Sequence, residues 1–380
     1  MGYRILGLAS GGLSGLSYKH EYLFPALAKK HEVVDVLNTR LSGFPKYWNA
    51  VCTFFRLPGI SKYLHPFRTI SGMDFSYYYG KTIYYALKRV KVCERKIKNL
   101  REDYDLIFQT TWQPAIRNKP AKPHFIFEDF TIKMAEREYP QWVKFFTEEE
   151  KNKWIKLETE TYQNATMIFT VSDHTRNAII NDYGVEEWKV VTTYNGVNIK
   201  ELPVFEKDYS GKIILFVGIE FERKGGLALI NAFKEVKKEI KDVKLVIVGA
   251  RPHVNIPDVE IKGELNHEMT LQQYKNASIF AMPSICEPFG IAFLEAMAYK
   301  TPCIGTTVDA MPEIIEDGKT GFLVPPNDYK QLADKLILLL EDENLMKKMG
   351  EEGRKRVEKC FTWDLVVDRM TKHFEEILEG

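Results

Sequence analysis

Glu287 and Glu295 bracket the segment PFGIAFL, with Ser284 just before it and an apolar run at 296–298 just after. The Pro-Phe-Gly turn opens a helix, which leaves Glu287 in the loop and carries Glu295 on the helix itself. Amides in a first helical turn lack intrahelical partners, and the macrodipole adds partial positive charge, so such a start attracts phosphate. At 1.5 Å rise per residue Glu295 falls roughly 7 Å inside the helix, about the reach from a diphosphate to its ribose. One carboxylate can then hold a sugar and the other a nucleoside, with the amides of Phe289, Gly290 and Ile291 between them. A lone glutamate on an amphipathic helix would instead face solvent.

A second group stands at Arg223-Lys224, directly before Gly225-Gly226 and the stretch LALINAFKEV. A departing diphosphate gains negative charge, and fixed cations aimed at it lower the barrier. The glycines let backbone approach phosphate and begin the next helix. Taken alone the pair reads as a solvated basic turn. Gly11-Gly12-Leu13-Ser14-Gly15 makes another glycine-rich turn, either a phosphate contact or only a tight turn. It is not G-x-G-x-x-G and lacks the acidic partner of a dinucleotide site. Asp129, closing HFIFED, can position a hydroxyl or accept its proton, or can cap the next segment. Glu128 alternates to the opposite face of its strand. The eight histidines show no paired-ligand spacing, so no metal site is implied.

These residues need a scaffold that delivers loops to one edge. Buried-strand runs occur at 3–9, 32–37, 105–110, 124–130, 167–171 and 189–194, then at 213–217, 244–248, 259–261, 278–282, 302–306 and 321–324. They alternate with helical stretches, the pattern of parallel sheets covered on both faces. A chain of 380 residues exceeds one hydrophobic core, so two domains are expected. The turn-rich NGVNIKELP puts the boundary at about residue 197, giving domains 1–197 and 198–362. Ligand is expected between the two sheets, at the C-terminal ends of strands.

The stretch from Glu287 to Glu295 resembles the E-x7-E signature of retaining glycosyltransferases of the GT-B fold, family 4, the glycogen-synthase-like group. The likeness continues in order through KIILFVG at 212–218, Arg223-Lys224-Gly225-Gly226, VKLVIVGA at 243–250, ASIFAMPS at 277–284, TPCIGTTVDAMPEII, DGKTGFLVPPND, and Phe361-Thr362-Trp363-Asp364. It is looser in the first half, through Gly11-Gly12, FIFEDFT, ATMIFTVSDHTRNAI and YNGVN. The resemblance implies an α/β fold of two Rossmann-like domains facing a cleft, the second holding the nucleotide sugar, with a last helix at about 363–380 crossing back to the first. It implies Glu295 on the ribose, Glu287 on the sugar, Arg223 and Lys224 on the diphosphate, Gly12 near that diphosphate, the base near Gly263 to Leu265, and Asp129 near the acceptor hydroxyl. No cofactor or metal is implied; the co-substrate is a nucleotide sugar, more commonly UDP-linked than GDP-linked. The acceptor is a glycan or a lipid-linked hydroxyl, and the departing phosphate oxygen can take its proton on the same face. Many family members place an arginine directly after the strand-end glycine, where this chain has Ile219. An epimerase of the same fold and a silent sugar-nucleotide or glycan binder are the alternatives. Asp103-Tyr104-Asp105 matches the D-x-D of the other large glycosyltransferase fold, but at the start of a strand it reads as a turn.

The formal net charge of +1 argues against a general nucleic-acid binder. That neutrality conceals an asymmetry: residues 40–99 are rich in Trp, Tyr and Phe and carry a dozen Lys or Arg against Asp74 and Glu94. Such a segment is either a solvated face with aromatics lent to the core, or a peripheral contact with an anionic membrane. Five widely spaced cysteines, no long apolar run and a start that enters a strand point to a reduced, cytoplasmic protein.

Overall fold

The computed structural model describes residues 2–9, 17–56, 80–116 and 119–380. Gly12 with its turn, and residues 57–79, lie outside the described residues. All twelve expected strands are present, with ends within two residues of the apolar runs. The runs are continuous rather than alternating because helices cover both faces of each sheet.

The first sheet contains β1 (Arg4–Ala9), β2 (Glu32–Asn38), β3 (Leu106–Thr110), β4 (His124–Glu128), β5 (Met167–Thr170) and β6 (Val190–Thr192), in the order β2-β1-β3-β4-β5-β6. Every pairing is parallel. Asp105, just ahead of β3, accepts the Arg4 backbone N–H at 2.8 Å. That places the D-x-D stretch at the N-terminal ends of the strands, as a turn. The second sheet contains β7 (Ile213–Gly218), β8 (Lys244–Gly249), β9 (Val259–Gly263), β10 (Ile279–Ala281), β11 (Cys303–Thr306) and β12 (Gly321–Val324), in the order β12-β11-β10-β7-β8-β9, again all parallel.

Backbone packing divides the chain into two compact units, one of residues 1–171, 175–193 and 367–380, the other of residues 172–174 and 194–366. In the first unit Phe108, Phe125 and Phe169, from neighbouring strands, converge on Phe374 of the helix Trp363–Glu379. Its ring lies 6.2, 4.7 and 5.8 Å from theirs, edge-on. Edge-to-face clusters of this kind add to simple burial. The end of the chain therefore completes the core that its beginning starts. In the second unit the loop YNGVN is seated by Trp363. A Cβ on Gly196 would come within 2.4 Å of its ring; its indole N–H donates to Asn198 at 3.3 Å.

Candidate active site

In the second sheet the strand order reverses between β7 and β10. Loops leaving adjacent strands at such a switch point diverge and open a crevice at the C-terminal edge, the usual ligand position in open α/β sheets. The two chemical groups found in the sequence leave from these two strands. Residues 219–225 link β7 to the helix Gly226–Glu239, and residues 282–290 link β10 to the helix Ile291–Ala298.

The two loops are stitched together. The Ile285 N–H donates to the Arg223 carbonyl at 2.9 Å, and Arg223 Nη1 donates to the Cys286 carbonyl at 2.7 Å. Gly225, with φ +76°, begins the helix Gly226–Glu239. A Cβ there would lie 1.8 Å from the Pro283 carbonyl oxygen, so only glycine allows the loops to close to this distance.

Within this frame Lys224 Nζ donates to Glu287 Oε2. Glu287 is 5% exposed. Its carboxylate also accepts from the Ser284 hydroxyl at 3.3 Å, and its backbone N–H donates to Asp309 Oδ2 at 2.5 Å. Arg223, 7% exposed, reaches Glu287 only at 3.9 Å. Its Nε donates to Glu220 at 2.7 Å and its Nη2 meets the same oxygen at 2.5 Å. The two cations are thus unequal: Arg223 braces the loops, and Lys224 presents the charge next to the Glu287 carboxylate. A charge-assisted bond of this kind is strong, with the Glu287 carboxylate buried and the Lys224 ammonium half-buried.

Glu295 lies one turn inside the helix Ile291–Ala298 and is 8% exposed, so it does not face solvent. Its Oε1 pairs with His267 Nε2 at 3.1 Å. His267 is the first residue of the helix His267–Asn276, whose cap Asn266 accepts the Met269 N–H at 2.8 Å. Tyr274, on the same helix, is fully buried; burial first and then the Glu295 charge push its phenol well above the usual range. The helix Ile291–Ala298 starts at Gly290, φ +85°, with no side chain capping its first turn. Phe289 is buried edge-on against Phe361, 6.2 Å between centroids, which fixes the approach to Gly290. Gly263 closes β9 at φ +64°, and a Cβ there would lie 2.5 Å from Arg251 Nε, so the guanidinium occupies that space. Leu265 follows, half-buried, two residues before His267.

Asp129 belongs to the first unit, one residue beyond β4 and partly exposed. It is not the cap of the next helix. Thr131 fills that place for Ile132–Glu138, accepting from the Met134 N–H at 3.1 Å. Glu128, on the other face, is buried and accepts from the Trp112 N–H at 2.6 Å and the Tyr162 hydroxyl at 3.2 Å. Tyr162 also lies 3.1 Å from Glu158, whose carboxylate accepts from Ile132 N–H and is pushed by burial up to about 8. A buried acidic network therefore fixes the backbone on both sides of Asp129.

The structure accordingly gathers Arg223, Lys224 and Glu287 into one cluster and pairs Glu295 with His267, while Gly263 and Leu265 precede the helix of His267 and Phe289, Gly290 and Ile291 lead into the helix of Glu295. His267, Asp309, Glu220 and Arg251 are additions. Nothing in the spacing of His267, Asp309 or Arg251 marks them, since each becomes a neighbour only through the fold, whereas Glu220 meets Arg223 three residues along the same loop. Ile219 is exposed at the end of β7 and adds no charge there.

Residues 198–356 match the family described as Glycosyl transferases group 1, and residues 26–201 match Glycosyltransferase Family 4. An uncharacterised glycosyltransferase of Methanocaldococcus jannaschii is 33% identical over 219 residues, 56% of this chain and 60% of that protein. The chain thus spans less than two thirds of that relative's length. Among solved structures, sucrose-phosphate synthase from Thermosynechococcus elongatus superposes with a TM-score of 0.71 at 18% identity, over 99% of both chains. Anabaena HepE, solved in complex with UDP and glucose, gives 0.63 at 15% identity, over 98% of this chain and 99% of that one.

Proposed function

Since this chain has the two-domain architecture of a GT-B glycosyltransferase, with a glycosyltransferase family matched in each half, we propose that it moves a hexose from a nucleoside-diphosphate sugar to a glycan or lipid-linked hydroxyl with retention of configuration. The observation that carries this reading is the Lys224–Glu287 pair at the switch point, one helical segment away from the Glu295–His267 pair. The donor's diphosphate takes Lys224 from Glu287, and the released carboxylate accepts from a hydroxyl of the sugar. The charge that develops on the leaving phosphate is then met by an ammonium already in place. Glu295, oriented by His267, accepts from the ribose, and the base lies toward Arg251 and Gly263. Asp129 is the acceptor-side carboxylate. The departing phosphate oxygen takes the acceptor proton on the same face, which accounts for retention without a protein nucleophile. A uridine donor is favoured, because HepE was solved with UDP.

The test is donor-saturation kinetics with calorimetry of free UDP on three variants. Glu295→Ala and His267→Ala should raise KM and weaken UDP with kcat little changed, because the ribose changes little in the reaction. Glu287→Ala should lower kcat while UDP binds nearly as before. A folded Glu287→Ala protein that no longer binds UDP would reverse the assignment of the two carboxylates.

Charge stabilisation by Lys224 rather than by a bound ion makes a separate prediction. Donor hydrolysis and transfer should persist in excess EDTA. Activity lost in EDTA and restored by manganese would shift the chemistry to a metal-held diphosphate.

A further inference from the structure

The helix Gly43–Arg56 is turned inside out. Asn49, Thr53 and Arg56, spaced i, i+4, i+7, form its inner stripe, and Asn49 and Arg56 hold it to the first unit. Asn49 and Thr53 are buried. The Asn49 side chain accepts from the Thr82 hydroxyl at 2.5 Å, and the Thr53 hydroxyl donates to the Asn49 carbonyl at 2.7 Å. Arg56 donates twice to Glu150, at 3.0 and 2.6 Å. Phe44, Tyr47, Trp48 and Val51, spaced i, i+3, i+4, i+7, form the opposite stripe and point to solvent, at 73, 67, 47 and 46% exposure. Phe44 and Trp48 stack on one another, centroids 6.0 Å apart. A surface helix of a globular protein ordinarily turns its apolar stripe to the core, and a contiguous exposed one marks an interaction site.

We propose that this aromatic stripe is the seat of the protein on an anionic lipid bilayer. Charge selects the occupant. Residues 43–56 contain no acid, and Lys46 is a cation of the helix besides Arg56, whose charge Glu150 meets. The helix Ile83–Lys98 sets Glu94 against Lys88, Lys91, Arg95, Lys96 and Lys98, with Arg89 buried. Tryptophan and tyrosine prefer the headgroup level, where the ring is buried and the polar edge stays wet. Flanking cations are drawn to an anionic surface. No helix among the described residues is long and apolar enough to cross a membrane, so the helix lies in the interface plane. The inference deepens the transfer reading: seated this way, the protein meets an acceptor carried on a lipid.

The experiment sediments the full chain with vesicles of phosphatidylcholine alone and of phosphatidylcholine containing phosphatidylglycerol. Native protein should pellet with the anionic vesicles only, and added salt should release it. Phe44→Ser with Trp48→Ser, both exposed and remote from the folding core, should lower the partition coefficient roughly tenfold or more. Acyl-chain bromolipids should quench the native protein's fluorescence but not that of Trp48→Phe. Equal pelleting by native and double variant would overturn the proposal. So would absence of binding to either vesicle, or a concentration-dependent dimer that the double variant abolishes, which would assign the stripe to a second copy. Hydrolysis of a nucleotide sugar in vesicle-free solution is measured on the same samples. Its absence would remove the transfer reading while leaving the vesicle result to stand by itself.

Discussion

Lys224→Ala should lower kcat by about 10² to 10³ with the protein still folded, the loss that follows removal of one preorganised donor to developing charge. The size of the effect comes from geometry. Lys224 is the cation in hydrogen-bond contact with Glu287, whereas Arg223 is held by Glu220 and the Cys286 carbonyl. Arg223→Ala should therefore act differently, lowering thermal stability by loosening both loops and reducing kcat through that disorder. Circular dichroism melts beside steady-state kinetics separate the two. If Arg223→Ala lost as much kcat as Lys224→Ala with an unchanged melt, Arg223 would be the cation on the diphosphate. The position vacant of charge at Ile219 would then have been filled from four residues along.

Gly225→Ala should be the most damaging single methyl in the second unit. Two costs combine: the left-handed backbone at φ +76°, and a Cβ 1.8 Å from a carbonyl that belongs to the neighbouring loop. Gly318 supplies the control, since it has φ +74° and nothing within 4 Å of its added Cβ. Gly318→Ala should cost about 1 kcal/mol, the penalty for the left-handed conformation. Gly225→Ala should cost about 3 kcal/mol or more and abolish turnover, because the backbone cannot yield without parting the β7 and β10 loops. Denaturant midpoints measure both. Equal costs would mean that the loops accommodate the methyl freely.

The contrast between these residues also shows what was legible in the sequence. Buried parallel strands announce themselves as continuous apolar runs, so all twelve could be placed, and only their ends drifted, since the last paired residue depends on the neighbouring strand. Glu287, Glu295 and Lys224 could be singled out in the sequence because they stand in the two stretches that resemble the family's motifs, and the structure brings Lys224 and Glu287 into contact. His267 and Asp309 were not, because they lie 28 residues from Glu295 and 22 from Glu287 and meet them only once the sheet has assembled. Asp129 was ambiguous for a local reason: a cap two residues further on, Thr131, satisfies the same amide role. The aromatic stripe at 44–51 could be counted from sequence, but whether it faced inward depended on the Asn49–Thr82 and Arg56–Glu150 contacts across 33 and 94 residues.

Phe374 sets a timetable for synthesis. Strands β3, β4 and β5 emerge early, yet the ring that closes their phenylalanine cluster is made only after all of residues 194–366. Domains usually fold from the N-terminus as they are made. Here the order is inverted: residues 194–366 hold a complete sheet and core of their own, while the earlier unit waits with an apolar surface open. A nonsense or frameshift lesion between residues 367 and 374 would leave that surface open although every residue of the proposed chemistry had already been made.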